Sequence, residues 1–182
     1  MDELIDILDE HGKPTGETIV KSRAHALGLF HPTVHVWLYN KAGEVLLQKR
    51  SASKDTYPGL WDVSVAGHVG AGEAIEVAAL RETEEEIGLR LPSGALEKIG
   101  VFKSVQRHHA QLLDCEYHHT FLCELTVDQE RLSKQESEVE ALLLIFLTQL
   151  ERNLANDTSK TAYVPHAPDY YATVFQEIKA RL

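Results

Sequence analysis

Cysteine is scarce in this chain: two in 182 residues, Cys115 and Cys123, without C-x-x-C spacing. Two such thiols make neither a disulfide framework nor a zinc knuckle, so they read as reduced cysteines of a cytoplasmic protein. Basic side chains are also short, 18 against 28 acidic ones, for a formal net charge of -10. That balance speaks against a nucleic-acid backbone or an anionic membrane as the main partner. It leaves room for a phosphorylated ligand met through metal ions. No apolar run approaches the ~20 residues of a membrane span, and the acidic start MDELIDILDE is no signal peptide. Internal repeats and low-complexity segments are missing too. What is present is the composition of an ordinary globular protein, 43% hydrophobic and 25% charged, at a length that suits one domain.

Residues 3–9 alternate apolar and acidic side chains, as a half-buried strand does, and HGKPTG follows as a turn. After a second short strand, KSRAHAL suggests a polar helical turn ending near Gly28. TVHVWLY (33–39) and EVLLQ (44–48) read as antiparallel neighbours joined by NKAG. WDVSV (61–65) is a brief strand. Two more strands are expected at about 96–104 and 113–126. In the second, Asp114, Glu116, His118 and Thr120 share one face and Leu113, Cys115, Tyr117, His119, Phe121 and Cys123 the other. VEALLLIFLTQLERN reads as a strand leading into a helix, ANDTSKTAYVPHAP as a loop, and DYYATVFQEIKARL as a terminal amphipathic helix. This mixture predicts an α/β domain with a mixed sheet.

The chemistry is concentrated in GHVGAGEAIEVAALRETEEEIGL, Gly67 to Leu89. A glycine-rich loop leads into a helix from about Ala74 to Ile87, and Gly88 suits the left-handed position just past its end. Val77, Leu80 and Ile87 form an apolar stripe expected to face a sheet. Glu82, Glu85 and Glu86 stand at i, i+3 and i+4 on the opposite side, where like charges repel by a few tenths of a kcal/mol per pair. Such a face calls for cations, and oxygen-only ligands suit Mg²⁺ or Mn²⁺ rather than zinc.

These residues resemble the signature of the Nudix hydrolases at Gly67, Glu73, Arg81, Glu82, Glu85, Glu86, Gly88 and Leu89. With its seven invariant letters at roughly 6–7% usage each, a chance match has odds on the order of 10⁻⁸ per start position. Thr83 departs from the pattern, standing where an apolar residue is usual; its methyl group is expected to point inward. The resemblance implies a Nudix-like α/β/α sandwich over residues 1–182 and a metal-dependent hydrolase. Its substrate would be a small-molecule diphosphate of nucleoside, coenzyme or isoprenoid type. It further implies that Glu82 and Glu86 are metal ligands and Glu85 a ligand or the base. Arg81 would orient a glutamate, Glu73 would fix the loop, and the Gly67 carbonyl would add a ligand.

The region from Pro14 to Gly88 is also similar to the isopentenyl-diphosphate isomerases, whose metal is held by three histidines and two acidic side chains. The matching residues are His25, His31, His68, Asp114 and Glu116; Lys21, Arg50 and Lys54 match the groups that hold the diphosphate. Residues 1–30 form the extension this subgroup carries. Imidazole ligands there would favour Mn²⁺ or Zn²⁺. Two departures oppose isomerase chemistry. WDVSVAGH (61–68) has Ala66 where the isomerases have a cysteine, and a methyl group moves no proton. The Arg-Glu and Glu-Glu pairs that the isomerases degrade are both kept. The hydrolase reading therefore leads, with isomerase-like activity and a non-catalytic ligand sensor as alternatives. His35, His108, His109, His118 and His119 are assigned surface or core roles. The 151–182 segment is placed to close the site or to mediate a homodimer.

Overall fold

The computed structural model describes residues 2–110 and 112–182. Its strands and α-helices are β1 (Leu4–Leu8), β2 (Pro14–Val20), α1 (Lys21–Leu27), β3 (His31–Tyr39), β4 (Glu44–Arg50), β5 (Trp61–Asp62), β6 (Val65–His68) and α2 (Ile75–Ile87). They continue with β7 (Glu97–His109), β8 (Leu112–Glu124), β9 (Val139–Phe146), α3 (Leu147–Ala155) and α4 (Pro168–Lys179). β1 and β2 make a two-stranded sheet of their own. The main sheet runs β5-β4-β3-β8-β7, with β6 added on β3 and β9 on β4. Among the described residues β3 and β8 pair in parallel and the other strands antiparallel.

The sandwich follows from the period of two along β3, which is buried at all nine positions. Val34, Val36 and Leu38 pack with Ala78, Ala79 and Ile87 of α2. Trp37 and Tyr39 pack with Leu147 and Leu150 of α3 and Tyr170 and Val174 of α4. The sheet thus lies between α2 on one side and α3 with α4 on the other, an α/β/α arrangement. Ile5, Ile7 and Ala24 form a small third core, and isolated bridges from Ile5 to Gly70 and Leu8 to Phe30 dock the N-terminal pair of strands.

Three expectations are corrected. The stretch 61–65 is two strands rather than one, because β3 and β4 splay apart after Tyr39 and Val45. Ser64 fills the gap: its hydroxyl accepts from the Leu38 N–H at 2.8 Å and donates to the Leu46 carbonyl at 2.6 Å. Second, Ile87 is buried and Leu80 packs against the core as expected, but Val77 is 54% exposed, and the rest of the inward face of α2 is the small or polar set Ala78, Ala79, Thr83 and Glu86. Short side chains let this helix lie close to β3 and β6. The Thr83 hydroxyl is satisfied within the helix, donating to the Ala79 carbonyl at 2.7 Å. Third, the early turn is tighter than expected, since Asp9 accepts from the N–H groups of His11 and Lys13 and lets β2 begin at Pro14. Helix α2 stops at Gly88, whose φ of +69° lets its N–H reach the Glu84 carbonyl while Leu89 reaches Thr83.

Candidate active site

One cleft of about 580 Å³ collects side chains from β3, β6, α1, α2, β8 and the segment before α4. Its first wall is the α2–β6 contact. Arg81 lies along α2 and gathers carboxylates. Its Nε and one terminal nitrogen donate to both oxygens of Glu73 at 2.9 Å, and the other terminal nitrogen donates to Glu82 at 2.8 Å and Glu85 at 3.1 Å. The Gly70 N–H also donates to Glu73, at 3.0 Å, which ties the loop to the same guanidinium. Glu73 first, then Glu82, raise the pKa of Arg81, which stays charged. Glu82 lies against Gly67 so closely that no side chain fits there.

Glu86 is the deepest of the three carboxylates, 3% exposed. One of its oxygens accepts from the Gln48 amide at 2.8 Å and from the Ala66 N–H at 3.1 Å, both neutral donors. Burial pushes its pKa up to about 8. Burial likewise raises Glu82, against the pull of Arg81. Glu85 is half-exposed at the rim. A buried acid hydrogen-bonded by two neutral donors, beside a second acid raised by burial, is a donor set that fits a hard divalent cation.

The second wall is formed by α1, the start of β3, the end of β6 and the start of β8. Here one ligand atom each from His25, His31, His68 and Glu116 lie within 4.8 Å of one another. His25 Nε2 is 3.3 Å from both His31 Nε2 and His68 Nε2, and Glu116 is 3.5 Å from His31 and 3.7 Å from His68. His31 Nδ1 donates to the Leu29 carbonyl at 2.9 Å, which directs the lone pair of Nε2 into the group. Burial would raise Glu116, yet His31 and His118 hold it well below the usual carboxylate range. His25 is lowered to about 4, by burial first and then by His31. Asp114 stands outside this group. It accepts from His108 at 2.8 Å and lies 3.5 Å from His25 Nδ1, behind the imidazole. Burial, then Glu116, raise its pKa to about 6.

Lys21, Arg50 and Lys54 all line the cleft. Arg50, however, is engaged by the protein itself, donating to Asp62 at 3.0 Å and to the carbonyl and hydroxyl of Thr56 at 3.0 and 2.9 Å. Lys54 is paired with Glu138.

Sequence reasoning missed the floor between the two walls. His35, His118 and His166 meet there with Asp62, Thr33 and Tyr170. The one advance signal was the period of β8, which put His118 on the face of Asp114 and Glu116.

The fold and its acidic helix define a class, a hydrolase built on an α/β/α sandwich. A profile of the NUDIX domain matches residues 29–164. The chain belongs to the Nudix hydrolase family, in a subgroup near isopentenyl-diphosphate isomerase. It is 33% identical over 185 residues to Nudix hydrolase 3 of Arabidopsis thaliana, covering 99% of this chain but only 24% of that relative's length. An uncharacterized Nudix hydrolase of Clostridium acetobutylicum is 30% identical, with 97% of each chain covered. Isopentenyl-diphosphate Delta-isomerase 2 of Photorhabdus laumondii is 32% identical over 98% of this chain and 91% of its own. A crystal structure from Deinococcus radiodurans superposes with a TM-score of 0.68 at 20% identity, over 88% of this chain and 97% of that one, and so shares the fold.

Proposed function

We propose that this chain is a divalent-metal-dependent hydrolase that cleaves the diphosphate linkage of a small molecule. The observation that carries the reading is the α2–β6 contact, where Arg81 clamps Glu73, Glu82 and Glu85 while Glu86 is buried beside Ala66. Glu82, Glu86 and the Gly67 carbonyl would hold Mg²⁺ or Mn²⁺, with Glu85 a further ligand or the base. Such ions, when bound, polarise phosphoryl oxygens and lower the pKa of water. The chain supplies the rest. Arg81 fixes the carboxylate rotamers before substrate arrives, so little reorganisation remains during reaction. Gln48 and the Ala66 N–H occupy one oxygen of Glu86 and leave the other for a ligand. Glu85, at the rim, would take the proton of the attacking water where it is not itself a ligand, and Lys21 and Lys54 hold phosphate oxygens, Lys54 by exchanging Glu138 for the substrate. Incubation with nucleoside, sugar, coenzyme and isoprenoid diphosphates plus Mg²⁺ or Mn²⁺ should release phosphate or a monophosphate. Glu86→Gln should abolish most of that release, and equal activity in this variant would remove the role assigned to α2.

A second reading, isomerisation of an isoprenoid diphosphate, is favoured by the converging group of His25, His31, His68 and Glu116. Against it stands Ala66, which lines the cleft without any proton to give. Cys115 and Cys123 offer no substitute, as both lie on β8 on the face opposite Asp114 and Glu116. Deuterium uptake into isopentenyl diphosphate without phosphate release would establish this reading; the Ala66 position predicts none, and Ala66→Cys tests it from the other direction.

A further inference from the structure

The side chains on the floor of the cleft belong neither to the α2 carboxylates nor to the converging group of His25, His31, His68 and Glu116. His35 and His118 stack there, ring centroids 4.1 Å apart and planes within 17° of parallel, and His166 meets both edge-on. Each ring is tied from behind. His35 Nδ1 is 2.7 Å from the Tyr170 hydroxyl, His118 Nδ1 is 2.7 Å from the Thr33 hydroxyl, and His166 Nε2 donates to Asp62 at 2.8 Å. Glu116 also approaches His118 Nδ1, at 3.6 Å. One atom is left over. His118 is 4% exposed, and its Nε2 is one of two buried side-chain polar atoms without a hydrogen-bond partner among the described residues. The other, on Asp114, still has His25 at 3.5 Å.

The place of that atom is informative. A second hollow, of about 420 Å³, lies between β7 and the segment Pro165–Tyr170. His118, His166 and Gln106 line both it and the main cleft, so these three residues stand where the two spaces meet. Buried polar atoms are paired in nearly all native proteins, and an unpaired one on a side chain that lines two adjoining hollows points to a ligand that pairs it. We propose that this junction is the subsite for the organic group carried by the diphosphate, and that the group is hydroxylated, sugar-like, with one oxygen bonded to His118 Nε2. A hydrocarbon chain would leave Nε2 as unpaired as it is in the free protein, whereas a hydroxyl oxygen gains the bond. The subsite therefore selects against isoprenoids. The position of the diphosphate rests on the hydrolase reading above; the contact at His118 does not.

The test compares the parent with His118→Leu and His118→Gln on ADP-ribose, UDP-glucose and CDP-glycerol, on isopentenyl and geranyl diphosphate, and on inorganic pyrophosphate, which has no organic group. Expected is a parent that prefers a hydroxylated diphosphate over both isoprenoids. His118→Leu should lower kcat/KM for that substrate by about ten- to a hundredfold, through KM, and lower pyrophosphate hydrolysis far less. His118→Gln, which keeps a polar atom near the same place, should lose less; it also separates loss of the contact from loss of folding. Preference for an isoprenoid, or an equal loss on every substrate including pyrophosphate, overturns the proposal. If the parent hydrolyses nothing, the hydrolase reading falls. Calorimetric titration with the same compounds then decides the subsite: binding of a hydroxylated diphosphate that His118→Leu weakens tenfold upholds it, and no difference overturns it.

Discussion

The side chain of Glu82 occupies the space that any substituent on residue 67 would need: a Cβ built on Gly67 would lie 2.1 Å from Glu82 Cδ and 2.5 Å from its Oε1. Contacts that short force either β6 to recoil or Glu82 to leave its place between Arg81 and the loop. Gly67→Ala should therefore lower metal-dependent hydrolysis by about 100-fold, the scale of an ~1 Å misplacement, while costing about 1–3 kcal/mol of stability as an overpacked site. Activity across a metal titration, read beside a melting curve, checks both. Full activity with an unchanged metal requirement would detach Glu82 from the reaction.

Glu86 makes stability depend on pH in an unusual direction. Its pKa rises from 4.5 to about 8 on folding because the site is buried. The folded chain keeps this proton where the unfolded chain has released it, so the metal-free protein is favoured at low pH. That contribution falls as pH rises from about 4.5 to about 8, by roughly 1.4 kcal/mol per unit, and then levels off. Burial of Glu82 acts in the same direction. In chelator, melting temperatures should decline across this window, and Glu86→Gln should flatten the decline. Saturating Mg²⁺ should flatten it too, by favouring the carboxylate form. A slope that survives in the glutamine variant assigns it to other groups.

The histidine group should take one ion per chain. After exposure to Mn²⁺ or Zn²⁺ and removal of excess, elemental analysis of the parent is expected to find one equivalent that His31→Ala and His68→Ala do not retain. Asp114→Ala should retain it with affinity weakened about 10–100-fold, because Asp114 sits behind His25 rather than among the converging atoms. Equal retention by the His31 variant would mean that the four side chains gather without a metal.

Thr83 offers a milder test of how α2 is built. Among the described residues its hydroxyl bonds only to a carbonyl of its own helix, at Ala79, and the residue is fully buried. Thr83→Val removes the hydroxyl and keeps the shape, so its stability should stay within about 1 kcal/mol of the parent, without loss of activity. A larger cost, read by denaturant unfolding, would reveal a partner for the hydroxyl beyond the helix.

What could be read in advance divides along chain separation. The α2 motif was legible because its spacing is local: Arg81, Glu82, Glu85 and Glu86 meet through helical periodicity, and Gly88 announces the end of the turn. The face of β8 was legible for a similar reason, a period of two. Of the stripe of Val77, Leu80 and Ile87, the last two meet the core as expected and Val77 alone turns outward, since close approach to β3 and β6 selected Ala78, Ala79 and Thr83 beside them. The break at Ser64 was hidden because its hydroxyl stands in for a ladder between two strands far from it in sequence. Hardest of all was the floor of the cleft. Asp62, His35, His118 and His166 come from four separate segments, and no short-range pattern links them. Arg50 shows what position alone leaves out: it lines the cleft, and Asp62 and Thr56 also engage it.

Strand β3 keeps its two rows of side chains on separate duties. Val34, Val36 and Leu38 bind the sheet to the helix that carries the acids, while Thr33 and His35 look the other way, onto the floor of the cleft. A substitution at Thr33 or His35 leaves the row that holds α2 in place. On the proposed subsite, exchanging those two side chains would change the cargo of the reaction while the cutting edge stays where it was.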